Sequence, residues 1–241
     1  MKKITKISLL LLLVGMAVIA AVPFLKEKEA EKKSENGFKK IQESVTEKKD
    51  RTINVKKLKK ENKDCIGYLE VPGTSISYPI MQTRDNPDYY LKHDFNKNYS
   101  YYGTPYLSAY CDLEKSDNLI IYGHNINDGK MFGALEQYNN KNFFDRHRKI
   151  YLTTNKKKEY KVFAVMSVNI KEFEYWKFAM ARDKKDYDEF VEKVLEYSMW
   201  NTGKKPKYGE QMLMLSTCDN GKGDNWRIVV VGKIINIFNI D

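Results

Sequence analysis

From Asp64 onward the chain alternates short apolar runs with polar turns, a pattern of strands more than of long helices. Residues 65–71 read as a first strand, stopped by Pro72-Gly73. Residues 75–81 alternate apolar and polar positions and predict a second strand; 86–95 read as a mixed turn with a short helical piece, and 101–107 as an aromatic-rich strand. Residues 118–122 are almost wholly apolar, which predicts a strand buried on both faces in the centre of the sheet. Residues 149–153 and 158–169 predict a strand pair around a Lys-rich turn, and 211–218 with 226–235 a hairpin closed by a Gly-rich connection. One helix interrupts this series. Tyr187, Phe190, Val191, Val194, Leu195 and Ser198 fall at helical spacing, with Asp183 as N-cap and Gly203 just past the end. The class is mostly β.

The first 63 residues follow a different rule. Lys2, Lys3 and Lys6 precede an uncharged stretch over residues 7–25, long enough as a helix to cross most of a bilayer's hydrocarbon core. Residues 1–25 therefore read as a cytoplasmic tip and transmembrane anchor; the rival is a cleavable signal peptide, whose apolar core is usually shorter. Either reading exports the rest of the chain. Residues 26–63 form a charged, partly helical linker in which Phe38, Ile41 and Val45 keep helical spacing, and Ile53 and Leu58 less clearly. The remainder, 64–241, is about 180 residues, enough for one catalytic domain with a single core.

Charge and cysteine content narrow the chemistry. The net charge is +10. Just outside a membrane this favours anionic lipids or polyanionic wall polymers; nucleic acid is excluded as a partner because export removes it from reach and no stacking motif accompanies the charge. The chain has three cysteines, an odd number, so at least one stays unpaired within a monomer. Cys65 and Cys111 read as buried small residues more readily than as a disulfide, and Cys218 as the free thiol. No CxxC, HExxH or clustered His/Cys set occurs, so neither a metal nor another cofactor is expected.

The candidate chemistry sits at strand ends. Residues 213–218 deliver Cys218 to the end of an apolar run, residues 119–124 deliver His124 in the same way, and Arg227 follows Cys218 across the hairpin turn. Period-two geometry puts Met212, Met214, Ser216 and Cys218 on one face, and the short connection brings Cys218 and Arg227 together. A thiol is mostly protonated at neutral pH, so a nucleophilic Cys218 needs a base or cation nearby, which His124 supplies. Arg227 keeps its proton and serves electrostatically, donating to a carbonyl or oxyanion. His93 and His147 lie in charged surroundings and read as surface residues.

These residues carry a family resemblance. Tyr122-Gly123-His124-Asn125, Leu215-Ser216-Thr217-Cys218 and Trp226-Arg227 resemble the His, Cys and Arg signatures of sortases, in the same order. Ile66-Gly67-Tyr68, Val71-Pro72-Gly73-Thr74, Tyr78-Pro79-Ile80, Tyr89-Tyr90-Leu91 and Gly129-Lys130-Met131-Phe132 resemble class B members, as does a helix from about Lys184 to Trp200; the likeness covers roughly residues 64–235. It implies a closed eight-stranded β-barrel with flanking helices, tethered to the outer face of a Gram-positive cell membrane by a single pass. It also implies a cysteine transpeptidase. Cys218 would attack the Thr carbonyl of a sorting signal similar to Asn-Pro-x-Thr-[Asn/Gly/Ser], and a peptidoglycan precursor amine would resolve the thioacyl enzyme, with His124 moving the protons. By the same resemblance Tyr122, Ser216, Leu91, Tyr175, Trp176 and Asn86 line the groove for the signal. Met214 departs from the family, which often has Thr there; altered packing behind the nucleophile is expected.

The alternatives come from other classes. A papain-like protease places its Cys before its His, the reverse of the order here. A noncatalytic, membrane-anchored wall-binding or adhesion module would leave Cys218 inert, and a cysteine peptidase would cleave without transfer.

Overall fold

The computed structural model describes residues 2–45, 53–126, 128–200 and 202–240, with only the backbone described over most of 2–20. It divides into two compact units, Met1–Ile41 and Gln42–Asp241. The first is helical, part of α1 (Lys2–Val45), and Met16, Ile19, Val22, Phe24 and Leu25 are exposed on it. Among the described residues no helix is long and apolar enough to cross a membrane.

The second unit is a closed barrel of eight strands in the order β1 (Cys65–Glu70), β2 (Ser77–Met81), β3 (Tyr106–Leu107), β4 (Asn118–Tyr122), β7 (Met212–Cys218), β8 (Trp226–Asn239), β6 (Lys156–Asn169) and β5 (Lys149–Thr153). Closure removes the free sheet edges that an open sheet of this apolarity would expose. The pairs β2·β3 and β4·β7 are parallel and the rest antiparallel. Leu119, Ile120 and Ile121 of β4 are fully buried on both faces, as their unbroken apolarity predicts.

Several boundaries differ from the sequence expectation for identifiable reasons. The strand expected over 101–107 shrinks to Tyr106–Leu107. Gly103 turns there with φ of +58°, where a Cβ would stand 2.5 Å from the carbonyl oxygens of Tyr90 and Leu91, and Pro105 has no N–H to give a ladder. The turn between β5 and β6 is only Thr154-Asn155, so the lysines expected in it belong to β6. Lys157 lies over the Tyr151 ring, and the buried Lys158 ammonium donates to the Leu113 carbonyl and Gln211 Oε1 at 3.0 and 3.3 Å. β8 runs on to Asn239 because β6 pairs with it as far as Lys156.

The helices follow their caps. α2 (Val55–Glu61) starts after Asn54, whose side chain accepts from the Lys57 N–H, so Ile53 lies outside the helix that contains Leu58. α4 (Lys184–Glu196) starts at Asp183, which accepts from the Asp186 N–H, and buries Tyr187, Phe190, Val191 and Val194. It stops earlier than expected: Ser198 is taken up in a bridge to Met166, and Gly203 lies well past the end. The 3-10 stretch Gly133–Asn139 and α3 (Lys141–Arg146), capped by the Asn140 side chain, had no apolar periodicity long enough to announce them.

Candidate active site

The ends of β4 and β7 converge on one mouth of the barrel. Their parallel ladder runs from Asn118↔Met212 to Tyr122↔Ser216 and is extended by the Gly123 N–H to the Ser216 carbonyl at 3.2 Å. Thr217 Oγ1 donates to the Gly123 carbonyl at 2.8 Å. His124 and Cys218 are the next side chains beyond this point. Across the hairpin Cys218 pairs with Arg227. Asp219, one residue on, bonds through its N–H to the Trp226 carbonyl, so Cys218 and Arg227 form a non-hydrogen-bonded pair, the kind that brings side chains closest.

A cleft of about 540 Å³ collects these residues. It is lined by Pro87, Asp88, Leu91, Tyr106, Ser108, Ala109, Tyr110, Tyr122, Gly123, His124, Trp176, Ser216, Cys218 and Arg227. The three cysteines are free, and burial separates them: Cys65 and Cys111 are buried while Cys218 is exposed. Burial pushes the Cys65 thiol up to about 12 and also raises Cys111, which leaves both protonated and inert. Only Cys218 is open to a substrate.

His124 is held by backbone. Its Nε2 lies 2.7 Å from the Leu91 carbonyl oxygen, which can only accept, so Nε2 carries the hydrogen and Nδ1 is the ring atom left for proton transfer. The close approach of Gly103 and the Thr104 N–H bond to the Tyr90 carbonyl at 2.9 Å fix the segment that presents Leu91. The Tyr101 ring lies parallel to the imidazole at a centroid distance of 6.3 Å. Gly123 is required on the other side, since a Cβ there would come within 2.7 Å of the buried Phe132 ring.

Arg227 is half-buried, and its Nη1 donates to the Asp224 and Trp226 carbonyls at 2.6 and 2.8 Å. Those bonds offset the cost of a cation in an apolar strand and orient the guanidinium at the cleft. The neighbouring Asp219 carboxylate turns toward β6, where Ser167 Oγ donates to it at 2.6 Å.

Of the expected groove residues, Tyr122, Ser216, Leu91 and Trp176 line the cleft. Tyr175 does not. It lies beneath Ser216 at 2 % exposure, its hydroxyl 2.7 Å from Ser216 Oγ, and burial raises that hydroxyl to about 12. Asn86 is exposed outside the cleft, where its carbonyl accepts from Thr83 Oγ1, while Pro87 and Asp88 take part in the wall. Sequence reasoning missed Asp88 and Tyr106, joined at 3.0 Å, and the segment Ser108-Ala109-Tyr110. Only the aromatic run around Tyr106 signalled any of them. His93 and His147 are half-buried instead of surface residues: each ring stacks on an aromatic and bonds a carbonyl through Nδ1, His93 with Tyr89 and His147 with Phe143. Met214 is fully buried, with the Asn118 amide 3.5 Å from its sulfur, so the departure from Thr is absorbed in packing.

The family defined as the sortase domain matches residues 69–235. The chain belongs to the sortase family. Two curated relatives carry the name sortase B: one from Staphylococcus aureus, 33 % identical over 184 residues, covering 75 % of this chain and 74 % of the relative, and one from Listeria monocytogenes, 34 % identical over 181 residues, covering 74 % and 72 %. Among solved structures, a Staphylococcus aureus sortase B–substrate complex superposes with a TM-score of 0.77 at 27 % identity, covering 86 % of this chain and 98 % of that one. Clostridium perfringens sortase B gives 0.71 at 32 % identity, covering 76 % and 100 %. This sortase is of class B, and its activity is that of a cysteine transpeptidase.

Proposed function

We propose that Cys218, His124 and Arg227 carry the transpeptidase reaction of this sortase, on a C-terminal sorting signal similar to Asn-Pro-x-Thr-[Asn/Gly/Ser] and a peptidoglycan amine. The observation that carries the assignment is a single open cleft lined by the one exposed thiol, an imidazole and a guanidinium. With the thiol proton of Cys218 taken up by His124 Nδ1, the sulfur adds to the Thr carbonyl carbon, and the electron pair displaced onto oxygen is met by the Arg227 guanidinium. Collapse of this intermediate breaks the C–N bond, and His124 Nδ1 gives its proton to the leaving amine. The thioester then takes up the wall amine, whose proton returns to His124, and the thiolate leaves as the new amide forms. Tyr122, Ser216, Leu91 and Trp176 bind the signal; Tyr175 supports Ser216 from below, and Asn86 acts at most on the rim.

Residues 1–25 are proposed to tether the enzyme, with 26–63 as linker and 64–241 as the exported catalytic domain. Support comes from the basic tip, the uncharged stretch after it, and apolar side chains exposed on a helix. Membrane fractionation of cells with and without residues 1–25 tests this.

The catalytic assignment is tested with a panel of sorting peptides, with and without triglycine, on the wild type, Cys218→Ala and His124→Ala. Cleavage that needs both residues and transfer to triglycine are expected. Activity surviving in Cys218→Ala rejects the mechanism, and cleavage without transfer leaves a peptidase.

A further inference from the structure

The β4·β7 ladder ends one step short of the chemistry. Its last backbone link is Gly123 to Ser216, so among the described residues no main-chain hydrogen bond joins the two segments at the level of His124 and Cys218. Because Cys218 is in a non-hydrogen-bonded pair with Arg227, its own carbonyl points away from β8, toward the His124 turn. One side chain meets it there. Asn125 Nδ2 donates to the Cys218 carbonyl at 2.7 Å and to Glu136 Oε1 at 2.6 Å.

Both partners of that amide accept only, which fixes which way it faces: flipped, its oxygen would oppose a carboxylate and a carbonyl. The cost is visible on the other atom. Asn125 Oδ1 is buried with no hydrogen-bond partner among the described residues, an uncommon expense in a native protein. The backbone of the same residue bridges Met131, and the His124 carbonyl accepts from the Phe132 N–H at 2.9 Å, so the turn is anchored from behind.

We propose that Asn125, held by Glu136, is a positioning residue that clasps the nucleophile's carbonyl to the histidine turn and so sets the spacing of thiol and imidazole. This rests on the catalytic reading of Cys218 and His124. Donation is the essential property, and shape alone is not enough.

The test compares Asn125→Ala, Asn125→Asp and Glu136→Gln in the full-length enzyme, with sorting peptide and triglycine. Rates are normalised to iodoacetamide-reactive thiol, which reports Cys218 because the other two cysteines are buried. Asn125→Asp keeps the shape but presents acceptors to acceptors. Both Asn125 variants are expected to lose about 10- to 100-fold in kcat, with KM within about twofold. Glu136→Gln, which keeps an acceptor oxygen, retains kcat within about threefold. Wild-type kcat in either Asn125 variant overturns the clasp, as does a fall explained wholly by a lower folded fraction in thermal unfolding. A Glu136→Gln loss equal to that of Asn125→Asp also overturns it, by moving the effect to the carboxylate's charge. Cys218→Ala is run beside them: activity there sinks the catalytic reading itself and is separable from any result at Asn125.

Discussion

Ser216 in the cleft wall and Tyr175 beneath it form a buried pair, and removing one partner or both should give different answers. Each residue is 2 % exposed, and their hydroxyls lie 2.7 Å apart. Ser216→Ala strands the Tyr175 hydroxyl without water, a penalty of about 1–3 kcal/mol. Tyr175→Phe strands Ser216 Oγ and costs about the same, since the ring and its packing remain. The double variant removes both polar atoms, so it should cost less than the sum of the singles, with a coupling of about 1 kcal/mol or more. Urea unfolding followed by tryptophan fluorescence at neutral pH measures all four corners; the Tyr175 hydroxyl, raised to about 12 by burial, stays neutral throughout. An unchanged urea slope with shifted midpoints is required for the comparison. Costs that add to within about 0.5 kcal/mol would refute the reasoning, because uncoupled hydroxyls are not bonded to each other.

Two further outcomes follow from steric and electrostatic detail. Gly123→Ala places a methyl 2.7 Å from the fully buried Phe132 ring. It is expected to cost about 1–3 kcal/mol of stability and to lower kcat more than it raises KM, read by thermal unfolding and peptide kinetics; wild-type values in both would show that the His124 turn does not depend on this contact. Glu159 lies buried beside Asn236, whose amide donates to it at 3.0 Å, and near Lys149, and these contacts hold its carboxyl below the ordinary 4.5. A depressed carboxyl stabilises the fold above its unfolded value and loses that contribution as pH falls through the folded one. Glu159→Gln should therefore be less stable than wild type at pH 7 and converge with it in acid, in unfolding midpoints measured from pH 7 to 3; a constant difference across that range contradicts the linkage.

Much of the barrel was legible because its strands are apolar and short. β4 coincides with its apolar run residue for residue, and β1, β2, β5 and β7 lie within a residue or two of theirs. Asp183 announced α4 for the same reason that it caps it. What was illegible depended on contacts distant in sequence. Gly103 breaks an aromatic run because two carbonyls of another segment approach it, and Lys156 and Lys157, expected in the turn, join β6 because β8 pairs with it to that end. At the site, the hairpin forced Cys218 beside Arg227, and order with spacing marked His124. The cleft wall from Asp88, Tyr106 and Tyr110 was hidden because loops contribute it with no periodicity of their own. Tyr175 was placed in the wall when it belongs under it, a distinction set by a hydrogen bond that no pattern of residues encodes.

The central claim is that the Cys218 sulfur becomes acylated by a sorting signal. Intact-mass spectrometry of the acid-quenched enzyme with a peptide of the Asn-Pro-x-Thr type reads this directly. The account predicts an adduct equal to the peptide portion ending in Thr, mapped by digestion to Cys218, which disappears on addition of triglycine as the transfer product forms. An adduct on Cys65 or Cys111, or peptide turnover with no acyl-enzyme even in the absence of an amine, would contradict it.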